Sequence, residues 1–325
     1  MVTVVIRQGY PQKDRLSNAA GCSVNFFRRS IMVYPDFCPD TGRQKTNNRN
    51  VLVLGGTGKT GRRVVERLEK RNCRVRVGSR KSETPFDWNR PQGWAAALKG
   101  VDAAYIAYAP DLTVPGARDH ISAFVDRAAE KGVTRVVLLT GRGEVEAVKC
   151  EQILRESGLE WTILRASWFN QNFSEAFLHD AVVSGHVALP VGAVGEPFID
   201  CEDIADVATA ALTEDGHARK LYELTGPRLI SFAEAIEEIS QATGRPITFE
   251  PISADDFASG MAAQGVSREE TDLVRYLFTT LLDGRNESTA DGVHQALGRP
   301  PRDFSEYVRT AARQGVWGPV ATPTS

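Results

Sequence analysis

Asn50 to Arg62 reads N-V-L-V-L-G-G-T-G-K-T-G-R. An apolar run, Val51–Leu54, leads into glycines at 55, 56, 58 and 61, and a helical pattern with Val64, Val65 and Leu68 on one face follows. Strand, glycine turn and helix in this order form a phosphate cradle. Gly56, Gly58 and Gly61 satisfy G-x-G-x-x-G, which permits a tight turn, close approach of backbone to a pyrophosphate, and close packing of helix on strand. The helix N-terminus then presents free N–H groups and the positive end of its dipole. A P-loop is the rival reading, because Gly58-Lys59-Thr60 supplies G-K-T. Its first glycine would fall at position 53, which is Val53, so a dinucleotide site is the better match.

The end of the second strand selects the dinucleotide. Arg74–Gly78 reads as that strand, and Ser79-Arg80-Lys81 follows about 20 residues after the motif, where the ribose-reading residue belongs. NAD sites carry Asp or Glu there, and none occurs at 78–82. Ser79 and Arg80, with Lys59 as a further candidate, suit a 2′-phosphate. A solvated basic turn is the bland alternative. NADP(H) is therefore expected in preference to NAD(H).

With 325 residues, 42% hydrophobic and 25% charged, the chain has the composition of an ordinary globular protein. The net charge of −2 gives no electrostatic reason to expect nucleic acid or membrane. Cysteines 22, 38, 73, 150 and 201 are scattered without ligand spacing, which fits a reducing compartment, and a cytoplasmic location, and gives no metal site. Residues 1–49 carry eight basic and three acidic side chains without sustained periodicity. They read as a basic, mostly disordered extension; a transit peptide or an extended translation start are the open alternatives.

From Asn50 strands and helices alternate, the signature of a doubly wound parallel sheet with helices on both faces. Helices are expected at Trp94–Leu98, Ala117–Lys131 and Val145–Glu156, and strands at Val101–Ala109, Val133–Thr140 and Trp161–Leu164. Beyond Leu224 the character changes. Ser231 and Glu234 form a capping box opening a helix stopped by Gly244 and Pro246. A strand, Ile247–Pro251, and helices near Ala254–Ala263, Arg268–Leu282 and Phe304–Gln314 follow. The expected organisation is a dinucleotide-binding domain at 50–225, a small, mainly helical substrate-binding cap at 226–318, and a loose tail at 319–325.

Taken together, G-G-T-G-K-T-G, Ser79-Arg80, Phe86-Asp87-Trp88, S-G-L-E-W-T-I-L-R at Ser157–Arg165, W-F-N-Q-N-F at Trp168–Phe173, F-I-D-C-E-D-I-A at Phe198–Ala205 and L-T-G-P at Leu224–Pro227 resemble the NmrA-like group of atypical short-chain dehydrogenases. Within it the chain looks closest to quinone- and azo-reductase-like proteins and to ergot-alkaloid dehydrogenases. The resemblance implies a Rossmann-like fold in which Gly55, Gly56 and Thr57–Gly61 (Thr57, Gly58, Lys59, Thr60, Gly61) hold the pyrophosphate and Arg80 the 2′-phosphate. It places Asp87 and Trp88 near the adenine. It further implies that Ala107–Pro110, including Tyr108 and Pro110, cross the cofactor after the fourth strand, and that Thr140 and Gly141 follow the fifth. Trp168, Asn170 and Asn172 would lie near the nicotinamide and the substrate. Core packing is the competing reading for the aromatic members of that segment. Asn170 and Asn172 interrupt the apolar run with groups that need partners if buried, which favours a site.

Ordinary short-chain dehydrogenases use Y-x-x-x-K, and none of tyrosines 10, 34, 105, 108, 222, 276 and 307 has a Lys four residues on. Where several relatives place His or Lys, about eleven residues before Gly158, this chain has Ala147. Lys149 is a nearby candidate, with solvated helix surface as its alternative; His179 and His186 default to structural roles. Without a built-in proton donor the expected reaction is hydride transfer from NADPH to an electron-poor small molecule such as a quinone, azo compound or conjugated imine. A small aromatic or conjugated substrate is the expected partner. The alternative is an NADP-sensing regulator that acts through a protein partner without turnover.

Overall fold

The computed structural model describes residues 49–318. The basic extension and the terminal tail of the sequence reading lie outside these residues. The elements run β1 Asn50–Leu54, α1 Lys59–Lys70, β2 Arg74–Gly78, α2 Trp94–Leu98, β3 Ala103–Ile106, α3 Ala117–Glu130, β4 Arg135–Gly141, α4 Val145–Glu156 and β5 Glu160–Ala166. Next come α5 Asn172–Glu175, α6 Leu178–Ser184, β6 His186–Leu189, α7 Cys201–Thr213 and β7 Lys220–Leu224. The remainder is α8 Phe232–Thr243, β8 Thr248–Pro251, α9 Ala254–Ala263, α10 Arg268–Tyr276, a π turn at Leu277–Leu281, α11 Gly292–Leu297 and α12 Phe304–Arg313.

Six strands form one sheet in the order β2-β1-β3-β4-β5-β7. Every neighbouring pair is parallel. The order reverses between β1 and β3, and a crevice opens outside the carboxyl ends at such a switch point. Strand alternation divides the core. Leu52, Leu54, Ala104 and Ile106 pack with Trp94, Phe124 and Leu154 of α2, α3 and α4 on one face. Val51, Val53, Ala103 and Tyr105 pack with α1 and α7 on the other.

α7 has no polar face: its residues from Asp203 to Thr213 are buried apart from one position, Asp206. Asp200 caps it by accepting from the Glu202 N–H at 2.8 Å. Its buried Asp203 pairs with Arg299 at 2.7 Å and with Arg302.

A third core builds the cap, and it draws on two separated stretches of chain. Trp168, Phe173, Leu178, Val187 and Phe198 pack with Phe232, Ile236, Phe278, Phe304 and Trp317. β6 pairs in parallel with β8 to make a separate two-stranded sheet. Residues 168–198, assigned by the sequence reading to the dinucleotide-binding part, thus pack with the C-terminal helices. The capping box of Ser231 and Glu234 and the left-handed Gly244 that ends α8 are present as read. Among the described residues no helix is long and apolar enough to cross a membrane.

Candidate functional site

The site begins where β1 gives way to α1. Gly55 has φ +73, and its carbonyl accepts the Gly58 N–H at 2.9 Å, closing the turn. The turn glycine is therefore Gly55, one residue before the Gly56 that the G-x-G-x-x-G template selects. Gly56 serves packing instead, since a Cβ there would lie 2.9 Å from Val77 Cγ1 of β2. A Cβ on Gly55 would meet the Ala107 carbonyl at 2.6 Å, and one on Gly61 the Gly55 carbonyl at 2.1 Å. Gly58 is the N-cap of α1 and no side chain caps that end. The first-turn N–H groups are thus presented as an anion site, and these residues fit a dinucleotide pyrophosphate.

A cleft of about 1060 Å³ extends from this turn across the ends of β3 and β4 to the cap. Thr57, Gly58, Arg62 and Arg80 line its phosphate end, Leu139, Gly141 and Phe169 its middle, and Phe177, Phe257 and Met261 its cap wall. Arg80 follows β2 directly, and Ser79 uses its hydroxyl to accept the Lys81 N–H at 3.3 Å. Ala107, Tyr108 and Ala109 also line the cleft. They follow the third strand in chain order, and Gly141 ends the fourth, one strand earlier than the resemblance implied.

Lys59 and Thr60 line the cleft with their side chains engaged within the protein, and several other expected site residues are placed elsewhere. Lys59 does not reach toward Arg80: its buried ammonium donates to Asn172 Oδ1 at 3.0 Å, and desolvation lowers its pKa. Thr60 accepts from the Tyr105 hydroxyl at 3.0 Å. Asp87 accepts the Asn89 N–H, and Trp88 stacks in an aromatic cluster 4.8 Å from Tyr108 and 4.9 Å from Phe86. Neither Asp87, Trp88 nor Pro110 is on the cleft wall. Thr140 is buried and donates to Glu151 Oε1 at 2.8 Å, on the side of β4 facing α4, where Glu151 also holds Arg165 at 2.5 Å. Leu139 and Gly141 face the cleft because side chains alternate along a strand. Lys149 is surface, paired with Glu146 at 2.6 Å.

Trp168 packs edge-on against Phe232 at 5.6 Å and tilted against Phe278 at 5.0 Å, so it is part of the cap core. Asn170 is fully buried and neither side-chain polar atom has a partner. Tyr108 is bonded to His120 Nδ1 at 2.7 Å, and burial pushes its pKa up to about 12. His179 and His186 do line the cleft, with His179 bonded to the Val316 carbonyl and His186 to Glu250. The apolar patch on the cap wall and one buried carboxyl, Glu196, escape sequence reasoning altogether. Glu196 accepts the Trp168 N–H at 3.0 Å. Burial raises its pKa to about 7 against the opposing pull of that N–H and of Arg142, with Glu287 adding to the rise.

A family model described as NAD(P)H-binding matches residues 55–215. The chain is 30% identical over 277 residues to the Prestalk A differentiation protein A of Dictyostelium discoideum, covering 80% of this chain and 91% of that protein. It is 29% identical over 286 residues to the NAD(P)H azoreductase of Xenophilus azovorans, covering 81% and 98%. Among solved structures, the Citrobacter sp. triphenylmethane reductase complexed with NADP(H) superposes with a TM-score of 0.66 at 20% identity, covering 81% and 99%. NmrA, a negative transcriptional regulator in complex with NAD, gives 0.61 at 16% identity, covering 82% and 96%. At these identities the structures speak for the fold alone. The chain belongs to the NmrA-like group of atypical short-chain dehydrogenases and is an NAD(P)H-binding oxidoreductase of that group.

Gly61→Ala is expected to lever α1 off β1. Dinucleotide affinity, followed by quenching of tryptophan fluorescence, should fall by at least about tenfold with a lower melting temperature; near-normal binding would contradict the cradle. Glu196 gives a pH test. Because the fold raises its pKa above the ordinary 4.5, its contribution is fully present below that value and is lost as pH rises through about 7. The loss is on the order of 3 kcal/mol. Urea unfolding at pH 5 and pH 8 should show this decline in wild type and a flatter profile in Glu196→Gln.

Proposed function

We propose that this protein transfers hydride from NADPH to an electron-poor, conjugated or aromatic small molecule, such as a quinone, azo compound or conjugated imine. One observation carries the reading: the cleft is continuous from the glycine turn to a cap wall in which Phe177, Phe257 and Met261 form an apolar patch beside His179, His186 and Asp256. That patch suits a flat apolar ligand brought against the nicotinamide end.

Among the described residues no tyrosine has a lysine four places on, and Tyr108, which lines the cleft, is bonded to His120. Tyr105 is buried on Thr60, Tyr222 is bonded to His217, and Tyr307 to Ser174. Reduction of an unactivated ketone, which needs a strong proton donor, is therefore disfavoured, whereas an electron-poor acceptor takes hydride readily. The bound dinucleotide would supply the hydride. The chain's own residues hold its phosphates, orient it along the crevice and exclude solvent through the cap. The printed activities of the azoreductase and the triphenylmethane reductase agree with such acceptors.

NADPH is preferred over NADH in this reading. Arg80 offers a planar charged donor at the end of β2, and no carboxylate stands at 78–82 to bind a 2′-hydroxyl.

Following NADPH absorbance with a panel of quinones, azo dyes and iminium compounds tests the reading. Turnover is expected with at least one class. Arg80→Ala should weaken NADPH binding by about 1.5–3 kcal/mol and leave NADH almost unchanged. No oxidation with any acceptor would sink the reductase reading in favour of a dinucleotide sensor. A second experiment separates cap wall from cap core. Phe257→Ala should raise KM for the acceptor with a smaller loss of stability than Trp168→Ala, which should cost about 3–5 kcal/mol.

A further inference from the structure

Behind Gly141 lies a second, small cavity of about 20 Å³, room for about one water molecule. It sits between the carboxyl ends of β4 and β5 and the π turn, whose Leu277 and Leu281 close it. Gly141 lines both this cavity and the large cleft. The second seam between them is the Lys59–Asn172 hydrogen bond: Lys59 lines the cleft and Asn172 the cavity.

Glu196 lines this cavity and is 1% exposed. Its backbone is fixed by the bridge to Ile230, and Oε1 is fixed by the Trp168 N–H at 3.0 Å. Oε2 is buried and has no hydrogen-bond partner. An ionised carboxylate with one oxygen so placed would be a buried charge served by a single donor, a costly state. A protonated carboxyl removes the charge and turns Oε2 into a hydroxyl donor.

From this geometry we propose that Glu196 is the proton-holding group of the site, passing a proton through one water at Gly141 to the acceptor as it is reduced. This rests on the reductase reading above. The balance is simple. The acceptor gains two electrons and one hydrogen nucleus as hydride from the dihydronicotinamide, which leaves oxidised. The heteroatom that becomes anionic takes a proton from the water, and the water takes one from Glu196 Oε2. The resulting carboxylate is reprotonated from bulk solvent.

The charged groups around Glu196 are Arg142 and Glu144, which follow β4, and Glu287 from the segment before α11; the Glu144 carboxylate packs against Gly141, beside the route of the water. Arg142 is already committed to the Asn286 and Ser288 carbonyls and to Glu223. Its attraction lowers the Glu196 pKa less than burial raises it, leaving a value of about 7. Such a group is half protonated near neutrality, which is where a general acid is most effective.

The decisive comparison uses the full chain, NADPH and two acceptors: a neutral quinone, which needs a proton, and an N-alkyl iminium, which takes hydride alone. Glu196→Gln should shift the ratio of quinone to iminium rates by roughly 100-fold against quinone. It should also remove a break near pH 7 in the quinone profile, with NADPH affinity kept. A readout independent of turnover is the infrared band of a protonated carboxyl, present in wild type at pH 6 and lost in Glu196→Gln. Glu196→Leu, which also removes the carboxyl, takes its place if the glutamine variant does not fold. Equal effects on both acceptors, no effect on either, or absence of the band overturns the proposal. Turnover without the band would sink only the role of Glu196. The band without turnover of either acceptor would sink the reductase reading, and the proton role with it.

Discussion

The contact on which the rest of the molecule depends is that between Gly61 of α1 and the carbonyl of Gly55. A Cβ at position 61 would lie 2.1 Å from that oxygen, so the helix can sit this low on the strand only with hydrogen in place of a side chain. The low seat puts the first-turn N–H groups at the crevice and presses the turn against Ala107. It also brings Lys59 within 3.0 Å of Asn172, at the start of the cap. Farther along α1, Arg63 reaches Glu175 and Glu202, and Arg67 reaches Glu202 and Asp206. One helix therefore registers the glycine turn, α5 and α7 against one another. Burial would raise the carboxyls of Glu175, Glu202 and Asp206, and the arginine contacts instead hold them below the ordinary range.

The residues on the cleft divide its work. Its phosphate end is backbone and cation, with Arg62 and Arg80; its cap end sets an apolar patch of Phe177, Phe257 and Met261 among polar groups such as His179, His186 and Asp256. No tyrosine of the described residues has a lysine four places on, and the tyrosine hydroxyls with hydrogen bonds serve Thr60, His120, His217 and Ser174. Of the buried carboxyls, Glu196 lies on the small cavity behind Gly141.

Local signals in the chain were legible because each is decided within a few residues. The glycine turn, α4, the Ser231 box and α9 all follow from caps, period and turn chemistry. α7 was missed for a physical reason: a helix buried almost all round shows no amphipathic period. Gly55 was displaced by Gly56 because a spacing template cannot see which glycine takes positive φ. Thr140 misled because alternation along β4 depends on register with β5 and β3, which no local pattern reveals. Trp168, Asn170 and Asn172 were the hardest, since an aromatic run broken by amides reads alike as a binding wall and as a core. The packing of Trp168 on Phe278, more than a hundred residues away, puts that ring in the cap core.

The two-segment construction of the cap has a kinetic consequence. β5 leaves the sheet at Ala166, the chain builds the first half of the cap, and only then returns through α7 to lay β7 beside β5, pairing Thr162 with Lys220. The second half of the cap arrives later, with Phe232, Phe278 and Phe304. Contacts so far apart in sequence impose loop closures that slow folding. A chain emerging from its N-terminus therefore carries Trp168, Phe173 and Phe198 uncovered until the last helices are made. The edge strand of the sheet and the lid over the cleft mature together, so a truncation that removes the C-terminal helices would expose an aromatic face prone to aggregation rather than release a minimal dinucleotide-binding domain.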